Sequence, residues 1–243
     1  MIGALVILAF VLLALMSLPW FTSRDTSTET FADADVTRAE IEVNGAVDVR
    51  TGEVAEVTFL TEWRWTGRPT TEARVEDGVL TVRGDCSGVA FISRCGTAVD
   101  VVVPAGAQVV VQASAGGVHV DGVQGGVDLR STAGGIEVRD VVGPAVLRSS
   151  AGGISGTVAG GDVDAESSAG GVELTVTGSF DRLSASSSAG GIDLTVPDEA
   201  YRVDADTSAG SVDVQVRTDP EGASEIFARS SAGSVTIRNG SGG

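Results

Sequence analysis

The chain has 243 residues, 33 glycines, 5% aromatic residues and a formal net charge of -17, and it carries arginine but no lysine. That length suits one elongated domain plus a short anchor. An acidic chain with arginines scattered singly lacks the basic stripe that a phosphate backbone requires, which argues against nucleic acid as a partner.

Residues 1–21, MIGALVILAFVLLALMSLPWF, hold no charged side chain and are long enough to span a bilayer. Trp20 and Phe21 sit where interfacial aromatics anchor a helix end. A cleaved signal peptide is the rival, but the basic leader and a small-residue cleavage site are missing, so a single-pass transmembrane anchor is expected. Residues 22–38 are polar and acidic without periodicity, and read as a linker.

Residues 39–112 alternate as strands and form an expected β-rich cap. Asn44-Gly45 between Val43 and Val47 predicts one hairpin and Asp77-Gly78 a second, with a further strand over residues 54–65. Trp63 and Trp65 share a strand face, and read either as capping core or as an aromatic platform for sugar rings or a membrane surface. Cys86 and Cys95 are the only cysteines; in an exported chain two cysteines read as one disulfide, with two free thiols as the alternative, and four ligands for zinc are not at hand.

From residue 113 the phrase Ser-Ala-Gly-Gly-Val recurs, beginning at Ser114, Thr132, Ser150, Ser168, Ser188, Ser208 and Ser231. The first motif glycines, Gly116, Gly134, Gly152, Gly170, Gly190, Gly210 and Gly233, are 18 to 23 residues apart, a solenoid period. After each glycine pair apolar and polar residues alternate, as in Val118-His119-Val120 and Ile136-Glu137-Val138. A second alternating run precedes the pair, as in Val127-Asp128-Leu129. Each repeat therefore offers two short strands joined by a glycine corner, and the fold class is an all-β parallel β-solenoid of about seven coils over residues 113–243. The Ser/Thr column that opens each motif is expected to form a hydroxyl ladder, and Gly156, which interrupts an inward column, to mark the weakest coil.

Little in these repeats carries chemistry. His119 is explained by its place in a column with Glu137. Asp162 with Asp164, and Asp204 with Asp206, are candidate calcium ligands or acid–base pairs, weighed against a solvated acidic face. No catalytic residue, cofactor or metal site is expected. Val146 and Phe227 point outward and are candidate contacts for a partner.

The glycine coils, the segment Glu76-Asp77-Gly78-Val79-Leu80-Thr81-Val82 and Val103-Pro104-Ala105-Gly106 together resemble the bacterial "putative adhesin" family, also called toastrack domains. The resemblance covers residue 39 to the C-terminus. It implies a β-solenoid at the cell envelope, in some members attached to membrane-stress modules, and it brings no catalytic residues. The expectation is a non-enzymatic envelope protein with most of the chain outside the membrane. Its solenoid would serve as an interaction or scaffolding surface for a protein or cell-wall polymer, with self-association open. The alternatives are a polysaccharide-acting β-helix enzyme and a cytoplasmic polymer-forming scaffold.

Overall fold

The computed structural model describes residues 22–32, 34–64, 69–86 and 95–240. The strands in chain order begin with β1 (Thr22–Phe31), β2 (Arg38–Val43), β3 (Val47–Thr51), β4 (Ala55–Arg64), β5 (Thr70–Glu76), β6 (Val79–Asp85) and β7 (Cys95–Val103). The motif coils follow as β8 (Gln108–Ala113), β9 (Val118–Asp121), β10 (Val127–Ala133), β11 (Ile136–Val142), β12 (Ala145–Ala151), β13 (Ile154–Gly160), β14 (Val163–Ala169) and β15 (Val172–Val176). The last are β16 (Arg182–Ala189), β17 (Ile192–Val196), β18 (Ala200–Thr207), β19 (Val212–Val214), β20 (Arg217–Thr218), β21 (Ser224–Ser230) and β22 (Val235–Asn239). Among the described residues no helix is long and apolar enough to cross a membrane, and the expected anchor at residues 1–21 lies outside them.

The strands form two facing eleven-stranded sheets. Sheet A runs β1-β4-β7-β3-β9-β11-β13-β15-β17-β22-β19, and sheet B runs β20-β18-β21-β16-β14-β12-β10-β8-β2-β6-β5. Apart from the antiparallel β1, β4 and β5, all pairs are parallel and stack like residue on like: Ile136 on Ile154, Val172 on Ile192, Leu129 on Leu147. The period-two alternation of the sequence puts β-branched and leucine side chains between the sheets, where they are fully buried, and charged residues outside. At about 4.8 Å per strand the stack is roughly 50 Å long.

The coils number nine rather than seven among the described residues, because β2 with β3 and β6 with β7 each make a further coil of the same kind. Spatial order departs from chain order at both ends. The first coil in sequence, β2–β3, lies between β6–β7 and β8–β9, and the last, β21–β22, lies between β16–β17 and β18–β19. Both therefore have their strand edges paired and their apolar faces covered on two sides.

Several expectations need correction. Asn44-Gly45 is not a hairpin turn: β2 and β3 fall in opposite sheets, and the dipeptide forms a coil corner in which a Cβ on Gly45 would overlap the Thr97 carbonyl. Asp77-Gly78 is the expected hairpin, joining β5 to β6 with φ of 51° and 77°. The acidic stretch read as a linker carries β1, which pairs with β4 over ten residues and is exposed along most of its length; its backbone ladder, not side-chain burial, makes it a strand. Gly156 is not merely a gap in a column. Its φ is 137°, and a Cβ would overlap the carbonyl of Val138 on the neighbouring coil, beside the bulge at Asp140.

The hydroxyl ladder is real but sits one residue earlier. Ser114, Thr132, Ser150 and Ser168 face solvent, whereas Ser131, Ser149, Ser167, Ser187 and Ser230 are buried. Alternation continues one step past the apolar pair, so Ser167 follows Val163 and Ala165 inward. Each buried hydroxyl donates to the carbonyl of the first glycine of an adjacent coil: Ser149 to Gly134 at 3.1 Å, Ser167 to Gly152 at 3.0 Å, Ser187 to Gly170 at 2.9 Å, Ser230 to Gly190 at 2.9 Å. Each such bond contributes about 1 kcal/mol net, and losing it leaves a buried carbonyl short of a partner.

The first motif glycines form a column of touching backbones. A Cβ on Gly170 would lie 2.6 Å from the carbonyl carbon and oxygen of Gly152, and φ there is 150°. The second glycine is under no such constraint at Gly117, where the nearest atom to a Cβ is 3.7 Å away. Gly170→Ala is expected to destabilise the chain by about 3 kcal/mol or more through backbone strain and overlap, and Gly117→Ala by no more than about 0.5 kcal/mol; urea unfolding of both measures the difference.

Beyond β17, Tyr201 is buried, stacks on Phe180 at 5.5 Å and donates its hydroxyl to the Pro197 carbonyl at 2.9 Å. Burial, with the carboxylates of Glu199 and Asp198 nearby, pushes its pKa up to about 12. The neutral phenol is thus favoured by folding. This contribution is whole below the ordinary pKa of about 10 and is lost as pH rises from there through about 12, at up to about 1.4 kcal/mol per pH unit. Tyr201 is the chain's one tyrosine, so its phenolate absorbance reports it alone: a midpoint near 12 is expected, and Tyr201→Phe should remove this part of the alkaline loss of stability.

Candidate functional site

A concavity of about 880 Å³ follows the glycine corners along the outer face of sheet A. Its floor is the column of second motif glycines, Gly117, Gly135, Gly153, Gly171 and Gly191, continued by Ala98 and Ala46 at one end and Ser234 at the other. These glycines are exposed and, unlike the first ones, do not adopt left-handed φ. Alanine or serine stands in the same slot of other coils, so the backbone torsions do not dictate glycine here, although a Cβ at Gly135, Gly153, Gly171 or Gly191 would stand 3.1 to 3.3 Å from the carbonyl oxygen of the next coil. What glycine produces is a strip of bare peptide five coils long, continued at its ends by the small side chains of Ala98, Ala46 and Ser234.

One wall of the trough is the outward column two residues on. In stacking order it reads Asp100, Asp48, His119, Glu137, Ser155, Glu173, Asp193 and Thr236. Parallel stacking brings these groups within about 5 Å of one another, and their repulsion is relieved by cations from the adjoining outward column. Arg50 pairs with Asp48 at 3.1 Å, Arg139 with Glu137, and Arg238 with Asp193 at 3.0 Å. The His119 Nδ1 lies 3.6 Å from Glu137, as its place in the column implies. The Oδ1 atom of Asp193 is shielded from solvent and accepts no hydrogen bond from the protein. The trough thus offers a flat apolar floor beside a row of acceptors, an arrangement that recognises an extended chain carrying donors or positive charge.

Asp48 and Asp100 escape a reading by motif because no glycine pair precedes them. Val47-Asp48-Val49 and Val99-Asp100-Val101 nevertheless repeat the β-x-β pattern of Ile192-Asp193-Leu194, and that pattern is the signal that places them in the column.

The other candidate residues are not gathered into this site. Cys86 and Cys95 are disulfide-bonded, with Cα atoms 5.8 Å apart, and tie the end of β6 to the start of β7. Trp63 is half-buried on β4 directly opposite Cys95, and Trp65 lies outside the described residues. Val146 and Phe227 are half-buried in one outward column of sheet B, separated by Asp164 and Ser184. Phe227 is covered by the Arg182 guanidinium, 4.5 Å from the ring centre.

Three of the four paired carboxylates are engaged in structure, and Asp206 is exposed on β18. Asp162 accepts hydrogen bonds from the backbone N–H groups of Asp181 and Arg182, at 3.0 and 2.9 Å. Asp164 pairs with Arg148, and Asp204 with Arg229, each at 2.8 Å. Among the described residues no group of three or more histidine, cysteine or acidic side chains is arranged to hold a metal ion.

A family model described as Toastrack DUF4097 matches residues 99–243. Among solved structures, the chain is similar to a "putative adhesin" from Bacteroides fragilis at 16% identity and a TM-score of 0.52, over 89% of this chain and 98% of that one, which shows a shared fold. It is also similar to a "putative cell adhesion protein" from Clostridium sporogenes, at 10% identity and a TM-score of 0.42, over 90% of this chain and 100% of that one. No curated protein matches the chain.

The disulfide closes a short loop, and its loss frees that loop mainly in the unfolded chain. Cys86→Ala with Cys95→Ala is expected to cost about 2 to 3 kcal/mol in urea unfolding, while leaving the circular dichroism of the folded solenoid unchanged.

Proposed function

Since the chain belongs to the toastrack DUF4097 family, we propose that it is a non-enzymatic, adhesin-like interaction protein of the cell envelope, whose trough on sheet A takes an extended protein segment or cell-wall polymer. One observation carries this: five successive coils keep a second glycine whose φ any residue could adopt, in a slot that alanine or serine fills in other coils, and so hold open a bare strip beside a row of carboxylates. A solenoid presents such a surface with the repeat of its own stacking, which suits a linear partner better than a compact one. The neighbours described as adhesins are consistent with it, and their likeness is one of fold. The Cys86–Cys95 disulfide supports an oxidising compartment. With the uncharged run at residues 1–21 it supports a single-pass anchor and an extracytoplasmic solenoid.

Filling the trough tests the interaction. Gly117→Tyr places a ring on the floor where there is room for its Cβ, and Glu137→Arg with Glu173→Arg reverses the wall. Pelleting of the full chain with isolated cell-wall sacculi and with whole envelopes is expected to fall at least tenfold in the triple variant at unchanged thermal unfolding. Equal pelleting of both proteins would remove the trough from the function. Labelling Cys86 and Cys95 in intact cells with an impermeant thiol reagent, successful only after reduction, is the expected sign of an outward-facing solenoid.

A further inference from the structure

The two ends of the stack are finished differently. At the β6–β7 end the parallel array is closed by antiparallel strands, β4 and β1 in sheet A and β5 in sheet B, and the outermost of these carry Arg24, Asp25 and Glu29 or Glu72, Arg74 and Glu76. Charged edge strands of this kind resist addition of a further strand. At the other end the outermost coil is β18–β19. Val216 turns inward and Tyr201 fills the core beneath β20, which pairs with β18 only at Ala200 and Tyr201. Past that point, among the described residues, no strand pairs with the outer edge of Val203–Thr207 or of β19.

The uncovered half has the makeup of an interior coil. Val203 and Ala205 stand in the columns of Ile226 and Ala228, and Val212 and Val214 in those of Val235 and Ile237. In the next coil inward all four of those positions are 0% exposed, whereas Val212 is 43% exposed and the other three are only partly buried. The corner is also of interior type: Thr207 donates to the Gly233 carbonyl at 2.8 Å, and Gly210 stacks on Gly233. Terminal repeats of a solenoid ordinarily carry a polar outer face. This one keeps the apolar columns and open backbone groups that every other coil uses to bind a coil.

We infer that the β18–β19 end is a homodimer interface, formed by two copies meeting end to end about a twofold axis. A coil of the same kind is what covers this surface everywhere else in the molecule, so the contact continues the internal coil interface into a second chain. Head-to-tail growth has no acceptor, because the opposite end is closed by antiparallel, charged strands. The pairing is therefore self-complementary, runs antiparallel across the junction and stops at two chains. It leaves both troughs exposed, on a doubled rod. With a net charge of -17 on each chain, long-range repulsion opposes association and salt strengthens it.

Sedimentation of the full chain in density-matched detergent tests this directly. The expected result is a dimer in the micromolar range that tightens as salt is raised, and a dissociation constant at least tenfold weaker in Val203→Asp with Val212→Asp. Should the double variant lose the folded circular dichroism signal, Val212→Asp alone, at an already exposed position, carries the test. A monomer at every concentration up to about 100 μM would overturn the inference, as would filaments longer than two chains. A dimer of unchanged affinity in the Val212 variant would place the contact elsewhere, the apolar residues 1–21 being the first suspect.

Discussion

The contact on which this structure depends is backbone against backbone at the coil corners. Gly134, Gly152, Gly170, Gly190, Gly233 and Gly210 stack so closely that a single methyl group on any of them would strike the peptide of its neighbour. At that separation the amide of each of these glycines except Gly210, in the outermost coil, reaches the alanine carbonyl of the next coil, as from Gly134 to Ala151 at 2.8 Å, and the buried serine hydroxyl reaches the glycine carbonyl. The corner polar groups, which would be costly to bury unpaired, are thus satisfied along the stack. The strand spacing of the two sheets, the in-line packing of like side chains and the thinness of the core all follow from holding the corners at this distance.

A core of valine, alanine and leucine between two sheets gains little from any one coil. Burial of a valine or leucine contributes about 1.5 to 3 kcal/mol, and the ordering of each coil's backbone offsets most of it. Stability accrues by repetition, and the ends are where repetition fails. The molecule limits that cost by placing the first and last coils of its sequence inside the stack, which leaves β6–β7, stapled by the disulfide, and β18–β19, plugged by Tyr201 and Phe180, as the outermost coils.

The same stacking sets the surface. In a parallel array one outward position per coil becomes a continuous column, so a single substitution pattern in the repeat, glycine at one slot and a carboxylate two residues on, becomes a trough and a wall tens of ångströms long. The adjoining arginines moderate the field without neutralising it, since Asp100 and Glu173 lie in the wall beside pairs already made by Arg50, Arg139 and Arg238. A surface of this kind is extended and shallow, and its selectivity comes from charge and reach, not from enclosure.

The glycine period and the alternation of Val118-His119-Val120 and its successors determined the solenoid, its two strands per coil, the corner positions and the inward columns, because these are local properties written once and repeated. The disulfide and the Asp77-Gly78 hairpin were legible for the same reason: each joins residues close in sequence. Only the tertiary structure decided that Asn44-Gly45 is a corner and not a hairpin, since that turns on whether β2 finds β3 or a strand forty residues away. It alone placed β2–β3 and β21–β22 inside the stack, extended the acidic wall to Asp48 and Asp100, and left β18–β19 uncovered. The physical reason is one: a strand's edges are chemically alike whatever the chain distance to their partners, so pairing order is fixed by which arrangement covers the most backbone and apolar surface together, and no local pattern records that comparison.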